Sequence, residues 1–143
     1  MTKRVKVMAF GGFDVLHAGH VHFLQYAKRQ GDYLIVVVAT DRVLKKVKRH
    51  DPYFSQEERR RLVGSLKFVD KAILGDKNNT LLPIKWERPD VIVLGYDQPK
   101  QIGDLRKELA AIGIRVKKIV RAKPFAAHKH KSSKVKKYFE QYI

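Results

Sequence analysis

An α/β fold built on a doubly wound, five-stranded parallel sheet with helices on both faces is predicted by three features of this 143-residue sequence. Wholly apolar runs at 34–39 and 91–94 lack the polar alternation of a half-solvated sheet, which fits strands buried on both faces. Segments of helical spacing separate the strand-like runs, and that alternation demands right-handed crossovers between parallel strands. The first strand-to-helix junction carries Gly11-Gly12, and in open parallel sheets such ends of strands hold the ligand.

Each element has its own signal. Val5, Val7 and Ala9 alternate with Lys6 and Met8 before the two glycines, and a helix follows over about 19–30, closed by Gly31. Residues 33–39 form the second strand, ended by Thr40-Asp41, and a strongly basic segment, 42–50, runs up to Asp51-Pro52. Ser55 with Glu58 three positions later is a capping box that opens a helix to about 66. Residues 69–74 form a short third strand, and 78–87 a short helix with Pro83 in its first turn and Arg88-Pro89 as its stop. The strand at 91–94 ends on Gly95-Tyr96-Asp97-Gln98-Pro99; a helix at 103–112 and a fifth strand within 113–120 follow. An irregular basic stretch, 121–131, reads as a flap, after which Ser132-Ser133 cap a final helix over 134–142.

Composition bounds the function. Hydrophobic residues at 44% and charged residues at 31% suit a globular core, and the length suits a single domain over 1–143 with a basic loop and C-terminal helix at 121–143. The longest apolar run falls far short of the roughly 20 residues of a membrane span, and the N-terminus lacks the apolar core of a secretion signal, so a cytoplasmic protein without a membrane partner is expected. The absence of cysteine excludes disulfides, thiolate catalysis and cysteine zinc sites. A formal charge of +17 draws anions to the surface. The basic residues are spread along the chain without interleaved aromatics, so nucleic acid is not the expected partner.

Chemistry concentrates at the first junction. Glycines let the main chain approach an anion closely, and the following helix directs its first N–H groups and positive dipole end at the same place. His17 and His20 are three apart, close enough to share one side of the entry turn and to donate to phosphoryl oxygens. Gly12-Phe13-Asp14-Val15-Leu16-His17-Ala18-Gly19-His20 resembles the G-x-F-D-x-x-H-x-G-H signature of the cytidylyltransferase-like nucleotidyltransferase superfamily, whose members are Rossmann-like. The resemblance extends from Val5 to Lys136.

That resemblance implies a transferase in which an acceptor phosphate displaces pyrophosphate from a nucleoside triphosphate. The nucleophile is already an anion, so positioning and charge stabilisation carry the reaction. It implies that His17 and His20 hold the triphosphate together with Lys48 and Arg59, and that Gly11, Gly12, Phe13 and Asp14 form the nucleotide bend. Gly95, Tyr96, Asp97 and Gln98 would flank the nucleoside, and Ser132 and Ser133 would cup phosphate at a helix start, although His130 and Lys131 depart from the family's pattern there. A divalent metal cation such as Mg2+ is implied, with Asp14 as one possible ligand. Among small members the loops at 95–98 and 132–134 are most similar to the archaeal-type FAD synthase family, which implies ATP and FMN as substrates. Glycerol-3-phosphate cytidylyltransferase, using CTP and from whose pattern Tyr96 departs, or another phospho-sugar nucleotidyltransferase is the alternative; a non-catalytic basic nucleotide- or nucleic-acid-binding module is the distant one. A homodimer is also implied, with Phe54, Trp86 and Phe125 as exposed-looking apolar residues.

Overall fold

The computed structural model of the protein describes residues 3–125 and 132–142. Its elements run β1 (Lys6–Gly11), α1 (Ala18–Lys28), β2 (Tyr33–Val38), α2 (Asp41–Lys48), α3 (Gln56–Gly64), β3 (Lys71–Leu74), α4 (Leu82–Glu87), β4 (Val91–Leu94), α5 (Ile102–Ala111), β5 (Lys118–Arg121) and α6 (Ser132–Tyr142). The five strands form one sheet in the order β3-β2-β1-β4-β5, with every neighbouring pair parallel. The chain winds outward from β1 through β2 to β3 and then returns to β4 on the other side of β1. The switch point therefore lies between β1 and β4, at the end of the glycine-bearing strand.

Two apolar layers hold the sheet. Val7, Ala9, Val36 and Val38 face Leu24, Ala27 and Val63 from α1 and α3. On the opposite face Met8, Ile35, Val37, Ile92 and Leu94 meet Ile84, Leu105 and Leu109 from α4 and α5. The alternation within β1 and β2 splits the two sets, as the period of two in a strand requires. Register is pinned at the other end of the sheet. Asp32, Asp70 and Asp90 each stand just before a strand, and their Oδ2 atoms accept the N–H of Val5 (2.9 Å), Leu34 (2.7 Å) and Lys6 (2.9 Å) in the strand alongside. Val5 directly precedes β1, Lys6 opens it and Leu34 is the second residue of β2, so each carboxylate satisfies an N–H at the starting end of the neighbouring strand.

Several expectations shift. The basic segment at 42–50 is mostly helix α2, capped by the Thr40 hydroxyl, which accepts from Val43 N–H at 3.3 Å. Its apolar residues Val43, Leu44 and Val47 lie at helical spacing, and Leu44 is buried. The short helix starts at Leu82 rather than at 78, because the Asp76 carboxylate takes the N–H groups of Asn78 (2.9 Å) and Asn79 (2.8 Å) into a turn. β5 pairs only over Lys118–Arg121; Ile114 and Val116 are buried ahead of the ladder. In α6 both serines stand inside the first turn rather than before it. The expected flap at 121–131 falls in part on 126–131, outside the described residues.

Candidate active site

The bend after β1 is built by close packing. A Cβ on Gly11 would sit 2.6 Å from the Phe13 ring, and one on Gly12 would sit 2.8 Å from Leu44 Cδ1. The glycines were expected to clear space for a bulky anion; what they clear is room for Phe13 and Leu44, which fold against the backbone. Phe13 (φ 55°) and Val15 (φ 59°) both adopt the left-handed region, where a β-branched residue is a genuine outlier. Such strain costs on the order of 1–3 kcal/mol at each position and persists where the surroundings over-determine it.

At the bend the two histidines cap α1 reciprocally. His17 Nδ1 accepts from Gly19 N–H at 3.1 Å, and His20 Nδ1 accepts from His17 N–H at 3.2 Å. Their rings stack with centroids 3.8 Å apart, and the buried Phe13 ring meets His20 edge-on at 5.4 Å. Burial, then the neighbouring His17 and Lys48, push the His20 imidazole down to about 3, so it is neutral near pH 7. With Nδ1 accepting from a backbone N–H, the ring proton of each histidine resides on Nε2. His20 is thus set up as a neutral N–H donor, and His17 Nε2 lies buried.

Asp14 is buried beside the bend. Its Oδ2 accepts from Tyr53 N–H (2.9 Å) and its Oδ1 from Phe54 N–H (3.0 Å), while Lys136 Nζ on α6 lies 3.1 Å from Oδ2. Burial by itself would raise its pKa; the two backbone N–H groups and Lys136 outweigh that and hold it below the usual carboxylate value. Both oxygens are turned toward protein donors, and no group of three or more His, Asp or Glu side chains among the described residues comes together to hold a metal ion. The donor set does not fit a protein-built cation cage.

Arg59 was expected on the phosphates and lies elsewhere. Its side chain has no exposed surface, and its guanidinium donates to Phe54 O (3.0 Å), Gly12 O and Ala39 O (both 2.8 Å) and Asp41 Oδ1 (2.7 Å). It braces the ends of β1 and β2 from behind. The neighbouring arginines do not replace it at the site: Arg60 pairs with Glu57, and Arg61 is exposed outside the cavity. Gln98 is committed in a similar way, its Oε1 accepting from Gly95 N–H at 2.7 Å and its Nε2 donating to Phe10 O at 2.9 Å.

One cavity of about 740 Å³ opens over the carboxyl ends of the strands, within the size range of small-molecule sites. Gly11, Gly12, Phe13, Asp14, His17, His20, Lys48, Gly95, Tyr96, Asp97, Gln98 and Ser133 all line it. The Ser132 side chain lies outside the described residues. Residues not foreseen join them: His22, stacked on Phe125 at 4.0 Å, the cations Lys100, Lys123 and Lys136, and an apolar wall of Val43, Val47, Leu81 and Ile84. The helical spacing of Val43, Leu44 and Val47 was the available signal, hidden among the surrounding lysines and arginines. Basic residues and a neutral donor pair beside an apolar wall suit a ligand with several phosphates and flat ring systems.

The fold agrees with comparison to known proteins: residues 8–138 match the cytidylyltransferase-like family model, and the chain belongs to that family of nucleotidyltransferase enzymes. Within it the chain is similar to proteins named FAD synthase: that of Ferroglobus placidus is 48% identical over 119 residues, 82% of this chain and 77% of the relative. That of Thermoplasma acidophilum is 40% identical over 139 residues, covering 97% and 96%. Among solved structures, a Thermoplasma volcanium protein described as a lipopolysaccharide core biosynthesis protein superposes with a TM-score of 0.81 at 40% identity, covering 86% of this chain and 99% of that one. Pantoate-beta-alanine ligase of Francisella tularensis shares the fold alone, with a TM-score of 0.57 at 13% identity over 97% of this chain and 70% of that one.

Proposed function

We propose that this protein is an FMN adenylyltransferase that transfers AMP from ATP to FMN. An oxygen of the FMN phosphate attacks the α-phosphorus of ATP, the bond from that phosphorus to the bridging oxygen breaks, and FAD and pyrophosphate result. The observation that carries the reading is the 40% identity to an FAD synthase over 97% of this chain, on a fold whose cavity sets the glycine bend and its two histidines beside an apolar wall. On this reading the Nε2–H groups of His17 and His20 donate to phosphate oxygens as charge builds on them. They need no protonation to do so. Lys48 at the cavity mouth supplies positive charge, the loop at 95–98 flanks the nucleoside, and Ser133 in the first turn of α6 faces the phosphates. Asp14, Arg59 and Gln98 hold the frame. A divalent cation enters with the phosphates of the nucleotide, as magnesium commonly does, and needs no ligand from Asp14.

The same reading makes the chain one nucleotidyltransferase domain and a homodimer. Of the three apolar residues expected at a dimer contact, Trp86 and Phe125 are exposed and Phe54 is half-buried. The test is an acceptor screen. Purified protein with ATP, FMN and magnesium or cobalt is expected to produce FAD and pyrophosphate in equal amounts, read by chromatography and a phosphate-release assay. No FAD, together with CDP-glycerol formed from CTP and glycerol 3-phosphate, would move the assignment to a cytidylyltransferase.

A further inference from the structure

We propose that Arg121 is a positioning residue for the nucleoside: from the end of β5 it pins three carbonyl oxygens of the 95–100 loop and so sets the backbone against which base and ribose lie. Its Nη1 donates to Gly95 O at 2.9 Å and Gln98 O at 2.8 Å, and its Nη2 donates to Lys100 O at 2.5 Å. The loop residues Gly95 through Lys100 line the cavity, and Arg121 does not. It therefore acts on the ligand through the loop.

The loop has little regular structure of its own to hold this shape. Beyond Leu94, which pairs with Arg121 in the last rung of the β4–β5 ladder, it contains one backbone turn, Gln98 N–H to Gly95 O at 3.2 Å. The Gln98 side chain ties the same turn to β1 through Phe10 O. Arg121 closes the remaining side. In a trans peptide the C=O and the following N–H point in opposite directions, and there is no cis peptide among the described residues. Fixing the carbonyls of Gly95 and Lys100 toward β5 thus aims the N–H groups of Tyr96 and Gln101 away from Arg121. It also withdraws three carbonyl acceptors from any exocyclic amino group of a bound base.

Chemistry separates this role from that of a simple cation. A guanidinium presents five donors in a rigid planar fork and can span three carbonyls, whereas a lysine ammonium offers the same charge at a point. A residue that held phosphate by charge would tolerate lysine; a three-way brace would not.

The inference rests on the loop at 95–98 flanking the nucleoside, and its test is read by binding as well as by turnover. Wild-type protein, Arg121→Lys and Arg121→Ala are titrated calorimetrically with ATP and, separately, with inorganic tripolyphosphate, and steady-state constants are measured for ATP and FMN. Expected for Arg121→Lys is ATP binding about 10-fold weaker, the size of one lost charge-assisted hydrogen bond. Tripolyphosphate binding and the KM for FMN should stay within about twofold and the melting temperature within a few degrees, while the preference for ATP over CTP in kcat/KM narrows. Wild-type affinity for ATP in Arg121→Lys would overturn the proposal, as would equal weakening of ATP and tripolyphosphate, which makes Arg121 a phosphate cation. Loss of cooperative unfolding in both variants would make it purely architectural and overturn it too. Wild-type protein that binds ATP but makes no FAD would instead defeat the assignment of the acceptor and leave the binding comparison standing.

Discussion

His20 concentrates the tension between structure and chemistry in a single side chain. One ring nitrogen caps α1 by accepting from His17 N–H, and in the proposed reaction the N–H of the other donates to a phosphate oxygen. His20→Ala is therefore expected to act twice. Turnover falls about 100- to 1000-fold, the usual loss for one preorganised donor. Stability falls by about 1 kcal/mol, because the cap and the edge contact with Phe13 go with the ring. Steady-state kinetics and urea unfolding on the same preparation check both halves; full turnover in the variant would remove His20 from the chemistry. The H-x-G-H spacing was legible in sequence. The reciprocal cap was not, because it depends on an extended backbone at His17, which the strained bend imposes.

Helix α3 shows how an element serves the site without touching ligand. Ser55 and Glu58 form the capping box their spacing predicts, each side chain satisfying the other's backbone N–H at 3.2 Å. That start places Arg59 one turn in, facing the sheet rather than the cavity. There its donors satisfy carbonyls left at the ends of β1 and β2 and in the loop before α3. Removing the buried guanidinium leaves three backbone carbonyls without their donor, at about 1–3 kcal/mol each, so Arg59→Ala should cost about 3–5 kcal/mol. Arg59→Lys should recover less than half of that, because one ammonium cannot reach all four acceptors. Denaturant midpoints measure this. A variant that unfolds like the wild type but has a much higher KM for ATP would place the guanidinium on substrate after all. The capping box identified α3, but which of three consecutive arginines turns inward was settled by the packing of α3 on β2 and β3.

For the molecule as a whole, acid should erode stability in two stages. The folded-state value of about 3 for His20 lies below its ordinary 6.5, so its contribution is complete above about pH 6.5 and is lost as pH falls toward 3. Asp14 and Asp70 are also depressed below their ordinary 3.8; their contributions are present above that value and disappear only at lower pH. Urea midpoints are expected to start falling between pH 6.5 and 5, and this early decline should be absent in His20→Ala. A wild-type midpoint flat down to pH 4.5 would mean that the ring is not buried neutral. The fold class, the parallel pairing implied by alternating elements and the signature bend were all readable along the chain, because burial on both faces of a parallel sheet and the turn from strand to helix are local patterns of residue type. The strand order, the inward turn of Arg59, the commitment of Asp14 and Gln98 and the grip of Arg121 on a loop 21 to 26 residues away became visible only in three dimensions. They are contacts between segments distant in the chain, made by side chains whose partners are mostly backbone atoms, and backbone atoms carry no residue-specific signal for a sequence to reveal.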